Sequence, residues 1–332
     1  MNLQERIDGL VRLGEYMGSD DPRWEATKRK AYLDNNWFTE DFINLSVHNI
    51  RSAFLRREAL ETLAERYAIP HLKSHPKKVG LVLAGNIPLV GFHDVLCTFL
   101  SGHRAMIKLS SKDASLLPVL LAQVVEESPA AAEFLVPSER INGCDAYIAT
   151  GSNNTARYFE HYFGKHPHII RRSRTSVALL TGDETPGELE KLADDICQYF
   201  GLGCRNVTQL WVPKDYDFKP LLTALDKYKE LEHHNKFRNN YDYNLAVHIL
   251  NNHFYMTNGT VLLVEAASPF APISQVHYQH YEDRAAAAEA LGAREDIQCI
   301  VGAGYTPFGG AQCPALDTFA DGVNTMQFLL SL

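Results

Sequence analysis

The sequence lacks any apolar run approaching the roughly 18 residues of a membrane span. Its most apolar windows, Val79–Leu83 and Leu116–Val125, are far shorter, so a soluble chain without stable membrane insertion is expected. The opening stretch, MNLQERIDGLVRLGEYMGSDDPRW, has no apolar core of the kind a secretory leader carries. Cysteine is scarce: six residues, at positions 97, 144, 197, 204, 299 and 313, with no CxxC pair. A chain of this length needs no disulfide staples, and reduced thiols in a cytoplasm are the expectation. Positive charge is not in excess. The 32 lysines and arginines are outnumbered by 40 acidic residues, giving a net charge of −8, which argues against sequence-independent nucleic-acid binding. There are 14 histidines but no HExxH and no Cys/His ligand set, so no metal is expected. GxGxxG and GxxxxGKS/T are both missing, which removes the usual dinucleotide fingerprint and the P-loop.

What is present is an ordinary globular composition, 45% apolar and 22% charged, in a length that suits about two domains. Ile7, Leu10, Val11 and Tyr16 fall near one helical face, and Phe54, Leu55, Leu60, Leu63 and Ala64 near another. A helical segment over 1–75 is expected, closing in the Pro70–Pro76 stretch. From Lys77 short apolar strands alternate with helices. Strands are expected at Val79–Ala84, Ala105–Leu109, Asp145–Ala149 and Ser176–Thr181, and this alternation implies βαβ units around a parallel sheet. One helix is well punctuated, with Thr185 as N-cap, Pro186 at its first position, Glu188 completing a capping box and Gly201 as the stop. Further strands are expected at Thr208–Val212, Thr260–Glu265 and Gln298–Val301.

Ligands of parallel sheets bind at the carboxyl ends of strands. Asn86 stands at one such end. Thr150-Gly151-Ser152 stands at another, where the N–H groups of a starting helix suit a pyrophosphate; the same residues equally suit an ordinary helix cap. Cys97 and Cys197 lie on apolar helix faces, and Cys144 and Cys299 border strands, all of which reads as core. Cys204 differs. It sits in Gly201-Leu202-Gly203-Cys204-Arg205-Asn206, where glycines let the backbone turn sharply and approach a ligand. Arg205 adds positive charge, which favours thiolate if it points that way. A nucleophile and a small residue filling a tight loop both fit. Arg171, Arg172 and Arg174 suit the phosphates of a cofactor, a solvated face, or structural ion pairs. The stretch Asn235–Asn252 fits an acyl or CoA channel, and equally a helix with a polar outer face.

In order and spacing these residues resemble the aldehyde dehydrogenase superfamily, and within it the acyl-CoA reductase branch, the LuxC-type long-chain acyl reductases of bioluminescent bacteria. The resemblance runs from Lys77 to Val212 and returns at Pro307-Phe308-Gly309-Gly310. Gly85-Asn86-Ile87-Pro88 is similar to the family's Asn-x-Pro segment, whose Asn helps form the oxyanion hole. Ile107-Lys108-Leu109-Ser110 is similar to its Lys-Pro-Ser strand end, which implies Lys108 and Ser110 near the adenosine ribose or its phosphate. Thr150-Gly151-Ser152 is similar to the turn beside the cofactor pyrophosphate, and Cys204 matches the catalytic cysteine. The resemblance implies an α/β fold of two Rossmann-like three-layer domains behind a helical N-terminal segment. It places NAD(P) binding over 76–200 and the catalytic cysteine over 201–332.

The departures sharpen the expected reaction. Family members that hydrolyse their acyl-enzyme carry a Glu in a Glu-Leu-Gly-Gly-Lys segment to activate water. Here the corresponding stretch is Arg171-Arg172-Ser173-Arg174-Thr175, without a carboxylate, which suits a thioester reductase better than an aldehyde oxidiser. The acid after Lys-Pro-Ser is replaced by Ser111, which would not repel a 2′-phosphate. NADPH is therefore the expected cofactor, with NADH as the alternative. The family's Glu-x-Phe-Gly-Pro motif appears as Ser268-Pro269-Phe270-Ala271-Pro272, and Glu265 is expected in a strand. The implied partner is acyl-CoA or another acyl thioester, reduced to aldehyde through a Cys204 acyl-enzyme. The alternatives are an NAD-dependent aldehyde dehydrogenase and a non-catalytic subunit that binds nucleotide or an acyl carrier. No oligomeric state follows from the sequence.

Overall fold

Helix α1 (Leu3–Met17) begins where Asn2 and Glu5 bond each other's backbone N–H groups. Ile7, Leu10, Leu13 and Met17 recur along one face of it and are all buried. Helices α2 (Pro22–Asp34), α3 (Glu40–Ala53) and α4 (Arg57–Arg66) complete the N-terminal layer, with Asp21 and Thr39 capping α2 and α3. The computed structural model describes residues 1–332 and divides into two units. One is Met1–Ser173 with Pro314–Leu332; the other is Arg174–Cys313.

The first unit alternates β1 (Lys78–Val82), α5 (Phe92–Leu100), β2 (Arg104–Lys108), α6 (Leu116–Glu127), β3 (Leu135–Pro137), β4 (Ala146–Thr150), α7 (Asn153–Phe163) and β5 (His168–Arg171). Its sheet runs β3-β2-β1-β4-β5, with every pairing parallel. Strand order reverses between β1 and β4, the crevice where such sheets bind ligands. Residues of the N-terminal helices, Trp24, Phe38 and Leu60 among them, share one core with Val79, Leu96 and Leu120. The helical segment is thus a layer of this unit.

The second unit holds β6 (Thr175–Leu179), α8 (Pro186–Cys197), β7 (Val207–Pro213), α9 (Lys219–Leu225), α10 (Asn235–Leu250), β8 (Met256–Thr257), β9 (Leu262–Glu265), β10 (Gln275–Tyr281), α11 (Arg284–Gly292) and β11 (Ile297–Val301). Its sheet runs β11-β6-β7-β10-β9-β8, parallel except for β8. Leu192, Ile196, Leu210, Leu263 and Val276 lie in its core. The chain then returns to the first unit as α12 (Thr325–Leu330), where Met326 and Leu329 are buried and the Leu329 carbonyl bonds His103 Nε2 at 2.8 Å.

Two expectations change. The boundary lies at residue 173/174 rather than 200/201, because β6 pairs with β7 and β11 and so carries α8 into the second unit. The final residues, 314–332, belong to the first unit and not to the one that carries Cys204. No helix is long and apolar enough to cross a membrane.

Candidate functional site

Within the first unit, Val82 of β1 pairs in register with Lys108 of β2 on one side and Ala149 of β4 on the other. Neighbouring strands lie about 4.8 Å apart, so Lys108 and the end of β4 stand about 10 Å apart on one edge of the sheet. Lys108 and Ser111 are exposed there. Ser110 is half-buried, and its Oγ accepts the Lys112 N–H at 3.3 Å. Thr150 ends β4. The Gly151 N–H donates to the Arg171 carbonyl at 3.2 Å, and Ser152 caps α7 by accepting the Thr155 N–H at 3.3 Å. A Cβ on Gly151 would lie 2.9 Å from Thr155 Cβ and 3.0 Å from the Phe159 ring, so only glycine lets this turn close on its helix. Ser152, Asn153 and Asn154 are exposed at the helix start, where N–H groups and the helix dipole favour an anion.

Asn86 is half-buried in the loop leaving β1. That loop is braced at three points. Gly85 packs so closely that a Cβ would sit 2.6 Å from Ser110 Oγ. The Pro88 carbonyl accepts the Ser46 hydroxyl at 2.8 Å. Leu89, at φ 57, donates its N–H to Asp113 Oδ2 at 2.8 Å. Burial pushes the Asp113 carboxyl up to about 6, against the Leu89 and Leu116 N–H groups that lower it. The structure therefore brings Asn86, Lys108, Ser110, Ser111, Thr150, Gly151 and Ser152 to one edge of one sheet.

Cys204 belongs to the second unit. It is half-buried in the turn between the end of α8 and β7, and its carbonyl accepts the Ser176 hydroxyl at 3.1 Å. Cys97 and Cys197 are buried, and burial raises both thiols far above their ordinary range. Cys299 Sγ lies 3.1 Å from Ser176 Oγ; burial raises this thiol, while the Ser176 hydroxyl and the Arg205 charge oppose the shift. Part of the Arg205 charge thus falls on Cys299. Glu265 ends β9.

The three arginines separate. Arg171 is buried in an ion pair with Asp94 of α5, and its Nη2 donates to Thr325 Oγ1 of α12 at 3.0 Å. Arg172 pairs with Glu160 on the surface. Arg174 donates to the Ile297 carbonyl at 3.5 Å. The structural ion-pair reading holds for Arg171. Three bracing residues escaped the sequence reading: Asp113, Asn206 and Asp195, whose carboxylate accepts the Gly309 and Ala311 N–H groups at 2.7 and 3.0 Å. The Asn beside Gly203-Cys204 was the one visible signal, since Asn favours tight turns.

The chain is similar to known proteins in sequence and in fold. A family model described as acyl-CoA reductase (LuxC) matches residues 48–225, just over half of the chain. The long-chain acyl-protein thioester reductase of Aliivibrio fischeri is 26% identical over 184 residues. Long-chain acyl-protein thioester reductase 2 of Photobacterium leiognathi is 23% identical over the same length. Each alignment covers 48% of this chain but 38% of the relative, so much of those longer proteins is unmatched. Among solved structures, an E. coli NADP-dependent enzyme and a Mycobacterium tuberculosis aldehyde dehydrogenase complexed with NAD+ each give a TM-score of 0.65 at 12% identity, covering 91% of this chain and 73% of theirs. Aldehyde dehydrogenase 21 of Physcomitrella patens, in complex with succinate, gives 0.60 at 14% identity, covering 91% and 74%. The fold is that of the aldehyde dehydrogenases.

Proposed function

The chain belongs to the LuxC family of acyl-CoA reductases, and from that membership we propose that it takes an acyl group from a thioester onto Cys204 and reduces it to aldehyde with NADPH. The observation that carries this reading is the braced turn that holds Cys204 half-exposed while the two helical cysteines are sealed in core. Attack by the Cys204 thiolate on the thioester carbonyl forms a new C–S bond. The old C–S bond breaks, and the donor thiolate leaves and takes up a proton. Family membership makes Asn86 the proposed amide donor to the oxyanion, and its own loop is fixed by Ser46, Ser110 and Asp113. Arg171 is committed to Asp94 and Arg172 to Glu160. No carboxylate in that stretch activates water, which spares the acyl-enzyme from hydrolysis.

The carboxyl edge of the first sheet fits a phosphate-bearing dinucleotide by its donors. Lys108 supplies a cation, the exposed start of α7 supplies N–H groups, and Gly151 keeps a side chain out of the turn. Ser111 offers a hydroxyl where the family motif has an acid, and would so admit the 2′-phosphate of NADPH. When bound, the cofactor would supply a hydride for the acyl carbon; the acyl–Cys204 C–S bond breaks, aldehyde leaves and the Cys204 thiolate is regenerated. Intact-mass measurement after adding acyl-CoA without NADPH tests the reading. The expected result is one acyl adduct on Cys204 that disappears, with aldehyde released, when NADPH is added. Retained aldehyde formation by Cys204→Ala overturns it.

A further inference from the structure

We propose that Asn206 is a positioning residue, whose buried carboxamide holds the turn that presents Cys204. The proposal rests on the reading of Cys204 as nucleophile. The chain reaches this turn through three consecutive left-handed residues, Tyr199 (φ 53, ψ 27), Phe200 (φ 58, ψ 24) and Gly201 (φ 73). Glycine accepts that conformation freely, but two aromatic residues do not. Tyr199 and Phe200 are nevertheless held there, both buried. Strain of this kind persists only where the surroundings over-determine the backbone.

Asn206 supplies much of that determination. It is 0% exposed. Its Nδ2 donates to the carbonyls of Asp195, Ile196 and Gln198 at 3.0, 3.3 and 2.8 Å, which are the acceptors left open where α8 ends. Its Oδ1 accepts the Gly203 N–H at 2.8 Å, and its own N–H returns to the Gly203 carbonyl at 3.1 Å. Cys204 and Arg205 are therefore the tip of a closed four-residue turn. From the strand side, the Ser176 N–H donates to the Asn206 carbonyl at 3.1 Å and the Ser176 hydroxyl to the Cys204 carbonyl at 3.1 Å. One planar group with an acceptor and two donors ties helix end, left-handed arch and thiol turn together, and among side chains of this size only a carboxamide does so.

The test combines Asn206→Ala with three readouts: the pH profile of Cys204 alkylation by iodoacetamide, kcat and KM for acyl-CoA, and NADPH affinity. The expected result is a changed alkylation profile and a fall in kcat per folded molecule of about 100-fold, the cost of a displacement near 1 Å, with NADPH affinity unchanged. Asn206→Asp keeps the acceptor but loses the donors. Relative to wild type at the same pH, its alkylation should recover as the pH falls and a protonated carboxyl donates again. A wild-type alkylation profile and kcat in folded Asn206→Ala overturn the proposal. So does fast hydrogen exchange of the Gly203 amide in the unaltered protein, a measurement that requires no variant to fold. Activity retained by Cys204→Ala overturns the nucleophile reading instead, so the two failures are separable.

Discussion

Removing the Asp94 charge should cost the first unit a large part of its stability. Asp94 and Arg171 have side chains only 6% and 7% exposed. Asp94→Asn preserves volume but leaves the Arg171 guanidinium buried without its main counter-charge, with the weaker influence of Asp321 remaining. Such a loss typically costs about 3–5 kcal/mol, against a typical total of about 5–15 kcal/mol. Taking a urea m-value of about 2 kcal/mol/M, the midpoint should fall by about 1.5–2.5 M. Replacing both partners with apolar residues, Asp94→Leu with Arg171→Met, removes the desolvation cost as well as the attraction. That pair should lie close to wild type, which makes the double-mutant coupling several kcal/mol. The assay is urea unfolding of wild type, Asp94→Asn, Asp94→Leu, Arg171→Met and the double variant, with nucleotide affinity measured in parallel. A midpoint shift in Asp94→Asn below about 0.5 M, less than 1 kcal/mol at that m-value, would refute the argument. Restored stability in the double variant with lost NADPH binding would instead assign Arg171 to a cofactor phosphate.

Three further outcomes follow from the same edge of the sheet. Asp113 has its carboxyl raised from 3.8 to about 6 by burial, so the folded state binds this proton more tightly than the unfolded one. Its stabilising contribution is complete below about pH 4 and is lost as the pH rises through 6. Asp113→Asn keeps an acceptor for the Leu89 N–H and should flatten that decline, gaining on the order of 3 kcal/mol over wild type between pH 4 and 8; parallel urea-midpoint curves for the two proteins would count against it. Lys108→Ala should weaken NADPH about tenfold, and NADH much less, if the ammonium meets the 2′-phosphate; an equal loss for both cofactors would place it on the shared ribose. Gly151→Ala drives a Cβ to 2.9 Å from Thr155 and should cost about 1–3 kcal/mol through overpacking, read as a lower Tm together with weaker NADPH binding.

The elements that could be read from sequence are those whose causes are local. The α8 capping box at Thr185 and Glu188 forms as the residue pattern implies. Strands β1, β2, β4, β6 and β7 announce themselves as apolar runs. Strand β10 does not, although it is paired on both sides, with β7 and β9. Its buried positions include Gln275 and His277, and their polar atoms are satisfied at a distance. Gln275 bonds His248 and His277 at 3.0 Å each, and His277 bonds the Ser268 carbonyl at 2.6 Å. A strand that buries polar groups against remote partners breaks the apolar pattern without breaking the rule behind it. Helix α8 stops at Cys197, four residues before the expected Gly201, because Tyr199 and Phe200 turn left-handed, and a helix stop is not a domain boundary: what assigned β6 and α8 to the second unit was strand pairing with β7, which local patterning does not record.

The candidate site divides along the same line. The places of Asn86, Thr150, Gly151 and Ser152 at strand ends were legible from local pattern and turn chemistry, whereas Lys108 was marked only by the family resemblance. The three neighbouring arginines were not separable, because their meaning lies in partners. The Asp94 partner of Arg171 is 77 residues away, and Arg172 turns to nearby Glu160. The same holds for the residues that brace the loops. Asp113 holds Leu89 across 24 residues, and Asp195 holds Gly309 and Ala311 across 114 and 116. Reactive groups work only when their supporting shell fixes them to a fraction of an ångström. A chain can therefore keep every residue of a motif and still lose the chemistry by changing a remote acceptor. Substitutions at Asp113 and Asn206 probe that preorganisation directly, whereas substitution of Cys204 probes only the presence of the thiol.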